Sequence, residues 1–327
     1  MKRIVAVLGW VVAGGALAIV SGTALAQSWP VKPVRIMVAY PPGGGIDVMG
    51  RQIAEKLTSA WGQPVIVENR PGANTILATE AVAKSAPDGH TLLLTTDATF
   101  SINPHLYAKL PFDPQRDFIP VTMTVLLQQL LVAHPSQPFN TLDELIRAAK
   151  GKPGSINYAS YGSGSQPHLA GEMLKNKAGI DLVHVPYKGI SLAVPAVMAG
   201  EVQLTFAGIA TSMPQIKGGR IKPIAIGGAK RSALLPDVPT FAELGFPEVE
   251  THAWFGLFLP AGSPREAVMR VYQDTKRILD EPDFRQKQLI EKGYEVVGSA
   301  PEEFLSYMKT DRDSRGRAVK ISGAKAE

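Results

Sequence analysis

Short apolar runs alternate along the first third of the chain with segments in which apolar residues recur every three or four positions. Residues 34–39, 65–68 and 91–95 are apolar runs of strand length, and residues 75–85 have the character of a helix. Ile46, Met49, Ile53 and Leu57 are spaced by 3, 4 and 4 positions, which places them on one helical face. Strand, turn and helix in this order predict an α/β architecture with largely parallel sheets.

The same order begins again in the middle of the chain. Thr141 lies three residues before Glu144, which matches a capping box at a helix N-terminus. Pro167 stands where a helix should begin. We expect strands at 156–160, 182–185, 202–206 and 224–226, and helices at 169–177 and from 190 to 198.

The last part of the chain repeats the alternation without a glycine-rich turn. It predicts a strand at 254–259, helices at 264–279 and 283–292, a strand at 294–297 and a last helix signalled by Ser299, Pro301 and Glu302. We expect this tail to return to the first domain. The division is therefore residues 27–124 and 252–327 for domain 1 and residues 125–251 for domain 2, with two crossing strands as the hinge.

The first 26 residues have the features of a signal peptide. Lys2 and Arg3 precede an uncharged apolar stretch, and Ala24-Leu25-Ala26 is a small-x-small cleavage site. An uncleaved anchor is the alternative, but glycines in the stretch favour cleavage. We expect a periplasmic mature chain that begins at Gln27.

Composition narrows the function. The chain has no cysteine, so an exported protein of this length must be stable without disulfides. Removal of Lys2 and Arg3 lowers the formal charge from +5 to +3, and the basic clusters are short and lack interleaved aromatic residues. We therefore expect no nucleic-acid partner.

Two glycine-rich turns carry the candidate chemistry. Residues 42–45 (PGGG) and 162–165 (GSGS) each lie between a predicted strand and a predicted helix. At such turns backbone N–H groups lack internal partners and lie at the positive end of the helix dipole, which favours an anion. Tight turns also need glycine for structural reasons alone, so the pair is more informative than either turn. Two turns that face one cleft could hold one carboxylate from both sides.

Other kinds of site fit poorly. Val48 breaks the dinucleotide fingerprint, and the six histidines lack metal-ligand spacing, so we expect neither a cofactor nor a metal. Ser163 or Ser165 near His168 leaves a serine-type hydrolase as a remote alternative. We expect a binding protein, not an enzyme.

Several motifs resemble the receptors of tripartite tricarboxylate transporters, also called Bug proteins. The resemblance runs in order through almost all of residues 28–315. Its segments are 29–36 (WPVKPVRI), 40–47 (YPPGGGID), 67–74 (VENRPGAN), 87–94 (PDGHTLLL), 103–107 (NPHLY), 158–165 (YASYGSGS), 184–189 (HVPYKG) and 235–241 (LPDVPTF).

The resemblance implies a two-domain periplasmic binding protein fold of type II-like form, in which a ligand cleft lies between two doubly wound domains. It also implies a small carboxylate ligand, membrane subunits of a tripartite transporter as partners, and a chain that acts as a monomer. The ligand-binding residues that it implies are Tyr40, Pro42, Gly43, Gly44, Gly45, Ile46, Asp47, Asn74, Thr95, Thr96, Ser160, Tyr161, Gly162, Ser163, Gly164, Ser165, His168, Tyr187 and Ala207.

Three questions stay open at this point. Asp47 could cap a helix or could receive the ammonium group of an amino-acid ligand, and we favour the cap. Many relatives have an acidic or amide residue where this chain has Ala207 and Gly208, which favours an aromatic or aliphatic mono- or dicarboxylate over an amino acid. The bound solute could also be presented to a signalling partner instead of a transporter.

Overall fold

The structure is a computed structural model that describes residues 29–228, 230–249 and 251–324. The predicted signal peptide lies outside these residues. The elements up to the middle of the chain are β1 (Val34–Val38), α1 (Gly45–Trp61), β2 (Val65–Asn69), α2 (Ile76–Ala83), β3 (Thr91–Thr96), a π-helical turn (Ala98–Ile102), α3 (Asn103–Leu106), β4 (Phe118–Leu127), β5 (Gln129–Ala133), α4 (Leu142–Gly151) and β6 (Asn157–Ser160).

The remaining elements complete both halves of the molecule. They are α5 (Gln166–Ala178), β7 (Val183–Pro186), α6 (Ile190–Met198), β8 (Leu204–Gly208), α7 (Ile209–Lys217), β9 (Lys222–Ile226), β10 (Ala253–Pro260), α8 (Arg265–Asp280), α9 (Pro282–Phe284), a π turn (Arg285–Leu289), a 3₁₀ turn (Ile290–Lys292), β11 (Tyr294–Val296) and α10 (Pro301–Ser322).

Two mixed sheets organise these elements into two domains. The first sheet has the order β11-β4-β10-β3-β1-β2, and the second has the order β7-β6-β8-β5-β9. In the first sheet β1 is parallel to β2 and β3, whereas β10 is antiparallel to both β3 and β4. In the second sheet β6 is parallel to β7 and β8, whereas β5 is antiparallel to β8 and β9. The two-domain α/β binding fold is confirmed. The expectation of largely parallel sheets is wrong, because β5 and β10, the first strands after the two crossings, run antiparallel to both of their neighbours.

Each sheet has apolar layers on both faces. Along β1, Val34, Ile36 and Val38 pack into one cluster with α1 and α8, while Met37 packs into another with Phe258 and Phe304. Strands that are covered on both faces are apolar at successive positions, which explains the continuous runs in the sequence. The second sheet is built in the same way, with separate clusters on its two faces.

The chain crosses between the sheets twice. The first crossing is Gln128, which separates β4 in the first sheet from β5 in the second. The second crossing lies just before β10, where the Thr251 hydroxyl donates to the Gln129 carbonyl over 2.9 Å. The expected boundary between residues 124 and 125 falls inside β4. Neither β4 nor β5 is among the strands that the sequence predicts.

Helix α10 contacts both domains. It packs on β4 and on the π turn of the first domain, and also on α5 of the second domain. Val319 near its end belongs to the same apolar cluster as Leu169 of α5 and Ile102 of the first domain. The two domains are therefore linked by two crossings and by this helix.

The structure refines two local predictions. The helix expected at 283–292 forms, but it changes from α (Pro282–Phe284) through π (Arg285–Leu289) to 3₁₀ (Ile290–Lys292) and ends at Gly293, which has a φ of +80°. The N-cap residue of α10 is Ala300 and not Ser299, so only half of a capping box forms: Glu303 accepts from the Ala300 N–H, whereas the Ser299 hydroxyl accepts from the Met123 N–H. The box at Thr141 is confirmed, since its hydroxyl accepts from the Glu144 N–H. Within the described part of the chain, no helix is both long and apolar enough to cross a bilayer.

Candidate functional site

The first glycine turn joins β1 to α1. Gly44 is the N-cap residue of α1, and Gly43 before it has a φ of +86°, a conformation that favours glycine. The N–H groups of the first helical turn have no acceptor within a helix and lie at the positive end of its dipole. The turn therefore presents backbone donors at the carboxyl edge of the first sheet.

The Asp47 side chain, in the first turn of α1, accepts a hydrogen bond from this glycine turn. Its side chain is 2% exposed, and its Oδ2 accepts from the Gly43 N–H over 2.9 Å. Its Oδ1 accepts from Asn69 Nδ2 over 2.8 Å and lies 3.0 Å from Arg51 Nη2. Burial opposes ionisation of Asp47, but the hydrogen bonds from Arg51, Gly43 and Asn69 outweigh it and lower the pKa. Asp47 thus caps the turn from the third helical position, while Gly44 is the N-cap residue itself.

Replacement of Asp47 with alanine should lower the free energy of unfolding by about 2 kcal/mol, because it removes a helix cap and one of the two acceptors of the Asn69 amide, which keeps only the Tyr40 carbonyl. Arg51→Gln is the matched control, since the Arg51 side chain is half exposed and its ion pair should contribute less than about 1 kcal/mol. Urea denaturation measures both. An equal or larger loss in Arg51→Gln would contradict the assignment.

The second glycine turn, between β6 and α5, uses most of its donors internally. The Gly162 N–H donates to the Ser160 hydroxyl over 3.1 Å, the Gly164 N–H to His168 Nδ1 over 2.9 Å, and the Ser165 N–H to the Gly162 carbonyl over 3.1 Å. The Ser163 hydroxyl has no hydrogen-bond partner among the described residues. The Ser163 hydroxyl is therefore the group of this turn whose hydrogen-bonding capacity is left for a ligand.

A cavity with a volume of about 70 Å³ lies between the domains, and we call it the small cavity. The first domain contributes Tyr40, Gly44, Gly45, Ile46, Thr96, Asp97 and Tyr294. The second domain contributes Tyr161, Gln166, Ile190, Ser191, Ala210 and Thr211. The crossing strands contribute Leu127, Gln129, Ala253 and Phe255. Since one water needs roughly 10–15 Å³ on this measure, the cavity has room for several waters or for one small organic acid.

Four helix N-termini border the small cavity. Gly45 and Ile46 begin α1, Gln166 begins α5, Ile190 begins α6, and Ala210 and Thr211 lie in the first turn of α7. The α1 end belongs to the first domain and the other three belong to the second. Their dipoles contribute positive potential to the cavity from both sides.

Tyrosine hydroxyls border the small cavity in fixed positions. The Tyr40 hydroxyl lies 2.9 Å from the Thr96 hydroxyl, and the Tyr161 hydroxyl donates to the Phe206 carbonyl over 2.7 Å. Burial raises the pKa of Tyr40, Tyr161 and Tyr294, so all three stay neutral. The aromatic part of the wall therefore contributes no negative charge.

A second cavity, with a volume of about 640 Å³, shares the Tyr40, Pro41 and Tyr161 side of this wall, and we call it the large cavity. Its lining includes Gly162, Ser163, Tyr107, Tyr187 and Lys188 as well as residues 71–75. Ala73, Asn74 and Thr75 all have positive φ values, which is costly for residues other than glycine. Hydrogen bonds hold this strained loop in place, since the Asn74 side-chain amide donates to Asn103 Oδ1 and the Asn103 side-chain amide donates to the Asn74 backbone carbonyl, each over 2.7 Å.

The two cavities divide the residues that the sequence predicts for the site. Tyr40 and Tyr161 line both cavities, while Gly44, Gly45, Ile46 and Thr96 line the small one and Asn74, Gly162, Ser163 and Tyr187 line the large one. The two glycine turns thus lie at one interdomain region but border different cavities. Neither cavity, as far as the structure describes it, is lined by Pro42, Gly43, Asp47, Thr95, Ser160, Gly164, Ser165, His168 or Ala207.

Several of these remaining residues hold the site together. The Thr95 hydroxyl lies 2.5 Å from that of Thr99, which donates to Thr75 of the strained loop over 2.7 Å. Ala207 is fully buried within β8. Their positions suit a structural role behind the cavity walls.

The hydrolase alternative lacks its geometry. His168 Nδ1 accepts from the Gly164 N–H, and the Ser165 hydroxyl donates to the Gly162 carbonyl over 2.7 Å. A different pair, Ser160 Oγ and His184 Nε2, lies 2.6 Å apart, but Ser160 is fully buried and its hydroxyl also bonds its own turn. Burial, together with the neighbouring His168 and Lys175, lowers the pKa of His184 to about 3, so it is a poor proton acceptor. Neither Ser160 nor Ser165 is arranged as a nucleophile.

The sequence analysis missed several residues of the small cavity. Asp97 follows β3 directly and lies at the carboxyl end of that strand, which is where ligands bind in open α/β sheets. The same rule that selected the glycine turns would have selected Asp97. Gln129, Phe255 and Tyr294 depend on strands or turns whose position the sequence did not predict.

Comparisons with known proteins identify the family to which this chain belongs. The profile of the family described as "Tripartite tricarboxylate transporter family receptor" matches residues 49–323. The chain is 32% identical to the protein BugT of Bordetella pertussis over 330 residues, which cover 99% of each chain.

Two solved structures share the fold and were determined with ligands. Rpa4515 of R. palustris, solved with adipate, has a TM-score of 0.87 and 31% identity, over 91% of this chain and 99% of that one. MatC (Rpa3494) of Rhodopseudomonas palustris, with bound malate, has a TM-score of 0.84 and 31% identity, over 89% of this chain and 100% of that one. Adipate and malate are both small carboxylates.

Proposed function

The chain belongs to the family of tripartite tricarboxylate transporter receptors, and from this premise we propose that it captures a small carboxylate in the small cavity and delivers it to a membrane transporter. Membership of a receptor family makes it a binding protein and not an enzyme. The observation that carries the proposal is the group of four helix N-termini around one interdomain cavity.

The cavity suits an anion for a physical reason. Backbone N–H groups at helix N-termini are donors without internal acceptors, and each helix end carries roughly half a positive charge. A carboxylate that accepts several charge-assisted hydrogen bonds, each contributing about 1.5–3 kcal/mol, would bind with micromolar affinity, which corresponds to about 8 kcal/mol. The adipate and malate of the two similar structures belong to the same chemical class.

The ligand site that we propose includes the predicted residues that border the small cavity, together with Ser163 and Asn74 at the large one. Asp47, Gly43 and the Ser160 hydroxyl support the turns from behind. We further propose that the domains close on the ligand by bending at Gln128 and at residues 251–252, where the chain crosses between the sheets.

Location and partners follow from the family and from the N-terminal sequence. We propose that the mature chain acts in the periplasm as a monomer and meets the membrane subunits of a tripartite transporter there. Sequencing of the secreted protein should give Gln27 as the first residue, and light scattering should give the mass of one chain.

A binding screen tests the central proposal. We expect some small carboxylates to raise the melting temperature and the corresponding carboxamides to have no effect, because the amide removes the negative charge that the helix ends attract. A ligand at one hundred times its Kd should stabilise the protein by about 2.7 kcal/mol. Equal stabilisation by acid and amide would show that the cavity does not bind an anion.

The signalling alternative needs a cellular measurement. A transport receptor predicts that deletion of the gene abolishes uptake of the ligand while induction of the uptake genes persists. Loss of induction with normal uptake, when the transporter is expressed from a constant promoter, would favour the sensor.

A further inference from the structure

An acidic side chain with no role in the predicted site borders the small cavity. Asp97 follows the last residue of β3, lines the cavity and is only 1% exposed. A buried carboxylate needs a cation or hydrogen-bond donors to offset the loss of water. Its surroundings therefore show whether the protein alone provides them.

Asp97 shares its neighbouring cation with other groups. The nearest cation is Arg315 of α10, whose Nη2 lies 3.5 Å from Asp97 Oδ2. This guanidinium also donates to the His252 carbonyl over 2.6 Å and lies 3.4 Å from Asp311 Oδ1. Asp97 Oδ2 accepts no hydrogen bond within residues 29–228, 230–249 and 251–324.

The charges around Asp97 do not balance. Asp97 and Asp311 are two carboxylates that share the one guanidinium of Arg315, so these three groups together have a net charge of −1 when both carboxylates are ionised. Asp311 has a further side-chain donor in Trp254 Nε1 at 2.8 Å, whereas Asp97, among the described residues, has its own backbone N–H and no second side-chain donor. The uncompensated negative charge therefore lies on the side of the cluster that borders the cavity.

A second acceptor on the cavity wall lacks a donor as well. Gln129 lies at the start of β5, is 3% exposed, and its Oε1 has no hydrogen-bond partner in the described part of the chain. Two buried acceptor oxygens on one cavity wall, one of them charged, call for donors from the ligand.

We propose that Asp97 is a specificity-determining residue that receives the ammonium group of an amino carboxylate, whose carboxylate lies at the helix N-termini. This inference rests on the proposed function. An ammonium group neutralises the net charge of the cluster, whereas a hydroxyl group leaves that charge in place. A dicarboxylate without an amino group would bring a second anion to the buried Asp97.

The assignment changes the ligand class that the sequence favours. Ala207 and Gly208 lack an acidic side chain, so the sequence favours a carboxylate without an amino group. Asp97 provides the acidic group from the first domain instead. Burial raises the pKa of Asp97 to about 6, against the opposing effect of Arg315, so the group is charged at neutral pH and can hold an ammonium ion.

Calorimetry with matched ligand pairs tests the inference. Each pair contains an amino carboxylate and its deaminated analogue: aspartate with succinate, alanine with propionate, and phenylalanine with 3-phenylpropionate. In the best-binding pair we expect the amino member to bind at least tenfold more tightly to the native protein. Asp97→Asn should reduce this preference to less than threefold, while Asp143→Asn, which changes an exposed acidic residue of α4, should leave it unchanged.

The outcomes separate this inference from the proposed function. If no carboxylate binds at all, the proposed function fails. If deaminated members or hydroxy analogues bind as tightly as amino members, the proposed function stands and the role of Asp97 is overturned. Retention of the amino preference in Asp97→Asn would also overturn it.

A pH series on the native protein tests the same role without a variant. The amino preference should decline below about pH 6, where Asp97 gains a proton. The other ionisable or charged groups near Asp97 are Arg315, Asp311, His252 and Tyr40. A preference that stays constant between pH 7.5 and pH 5 would contradict the role of Asp97.

Discussion

Replacement of Gly293 with alanine should weaken ligand binding about thirtyfold without unfolding either domain. Gly293 belongs to the first domain and precedes Tyr294 of the small cavity, and the second domain approaches it at Ile209, the first residue of α7. A Cβ atom at position 293 would lie 2.6 Å from Ile209 Cβ and 2.6 Å from its Cγ2. Because Cβ is fixed to the backbone, this overlap forces the domains apart.

The expected thirtyfold loss of affinity follows from the free-energy cost of excess volume at a packed contact. Such overpacking costs about 1–3 kcal/mol, and a shift of about 2 kcal/mol away from the closed form lowers the affinity about thirtyfold. Gly293 contributes no side chain to the cavity, so the loss would report on closure and not on a ligand contact. Calorimetry with the best ligand from the carboxylate screen measures it.

Gly245→Ala is the matched control. Gly245 has a φ of +84°, close to the +80° of Gly293, but a Cβ there would meet no atom within 4 Å. Both variants carry the penalty of alanine in a left-handed conformation, about 1–2 kcal/mol, and only Gly293→Ala adds the overlap. Ile209→Gly in the Gly293→Ala background should restore most of the affinity. Equal binding by the two single variants would show that this contact does not limit closure.

Asparagine at position 97 should make the ligand-free protein more stable at neutral pH. The folded-state pKa of Asp97 is about 6, whereas an aspartate in an unfolded chain has a pKa of about 3.9. The folded state therefore binds the proton more tightly, and ionisation of Asp97 costs stability as the pH rises from about 4 to 6. Above that range the cost is complete, at about 3 kcal/mol as an upper estimate. Asparagine removes this cost, and Arg315 keeps Asp311 as a partner.

Thermal unfolding at two pH values measures the effect. At pH 7.5 the variant should melt several degrees above the native protein, since about 1 kcal/mol corresponds to about 2–4 °C in a chain of this size. Near pH 4 the two proteins should melt at similar temperatures, because Asp97 is then protonated in the folded state. A variant that is less stable than the native protein at pH 7.5 would show that the Arg315 ion pair outweighs the cost of burial.

The regular parts of the fold could be predicted because their signals are local. The faces of α1 and α8 and the apolar runs of β1 and β3 follow directly from residue spacing. The crossing strands could not be predicted in the same way. Residues 118–133 form one long, largely apolar segment, and only the tertiary structure shows that Gln128 divides it between two sheets.

The candidate site was predicted in outline for a related reason. The rule that strands end at a ligand cleft placed both glycine turns at the interdomain region. It could not show that they border different cavities, because that depends on how side chains of both domains pack between the two turns. Asp97 could not be predicted from glycine-rich turns or from known motifs, because it belongs to neither. The role of Asp97 depends on buried charged residues that are distant from it in the sequence.

The position of α10 restricts how the molecule can open. A body joined to another by two adjacent strands alone could swing and twist over a wide range. We expect the additional contact of α10 with α5, through Val319 and Leu169, to suppress twisting and to leave mainly one bending coordinate. Fewer rigid-body degrees of freedom then become frozen when a solute arrives, so more of the interaction energy appears as affinity.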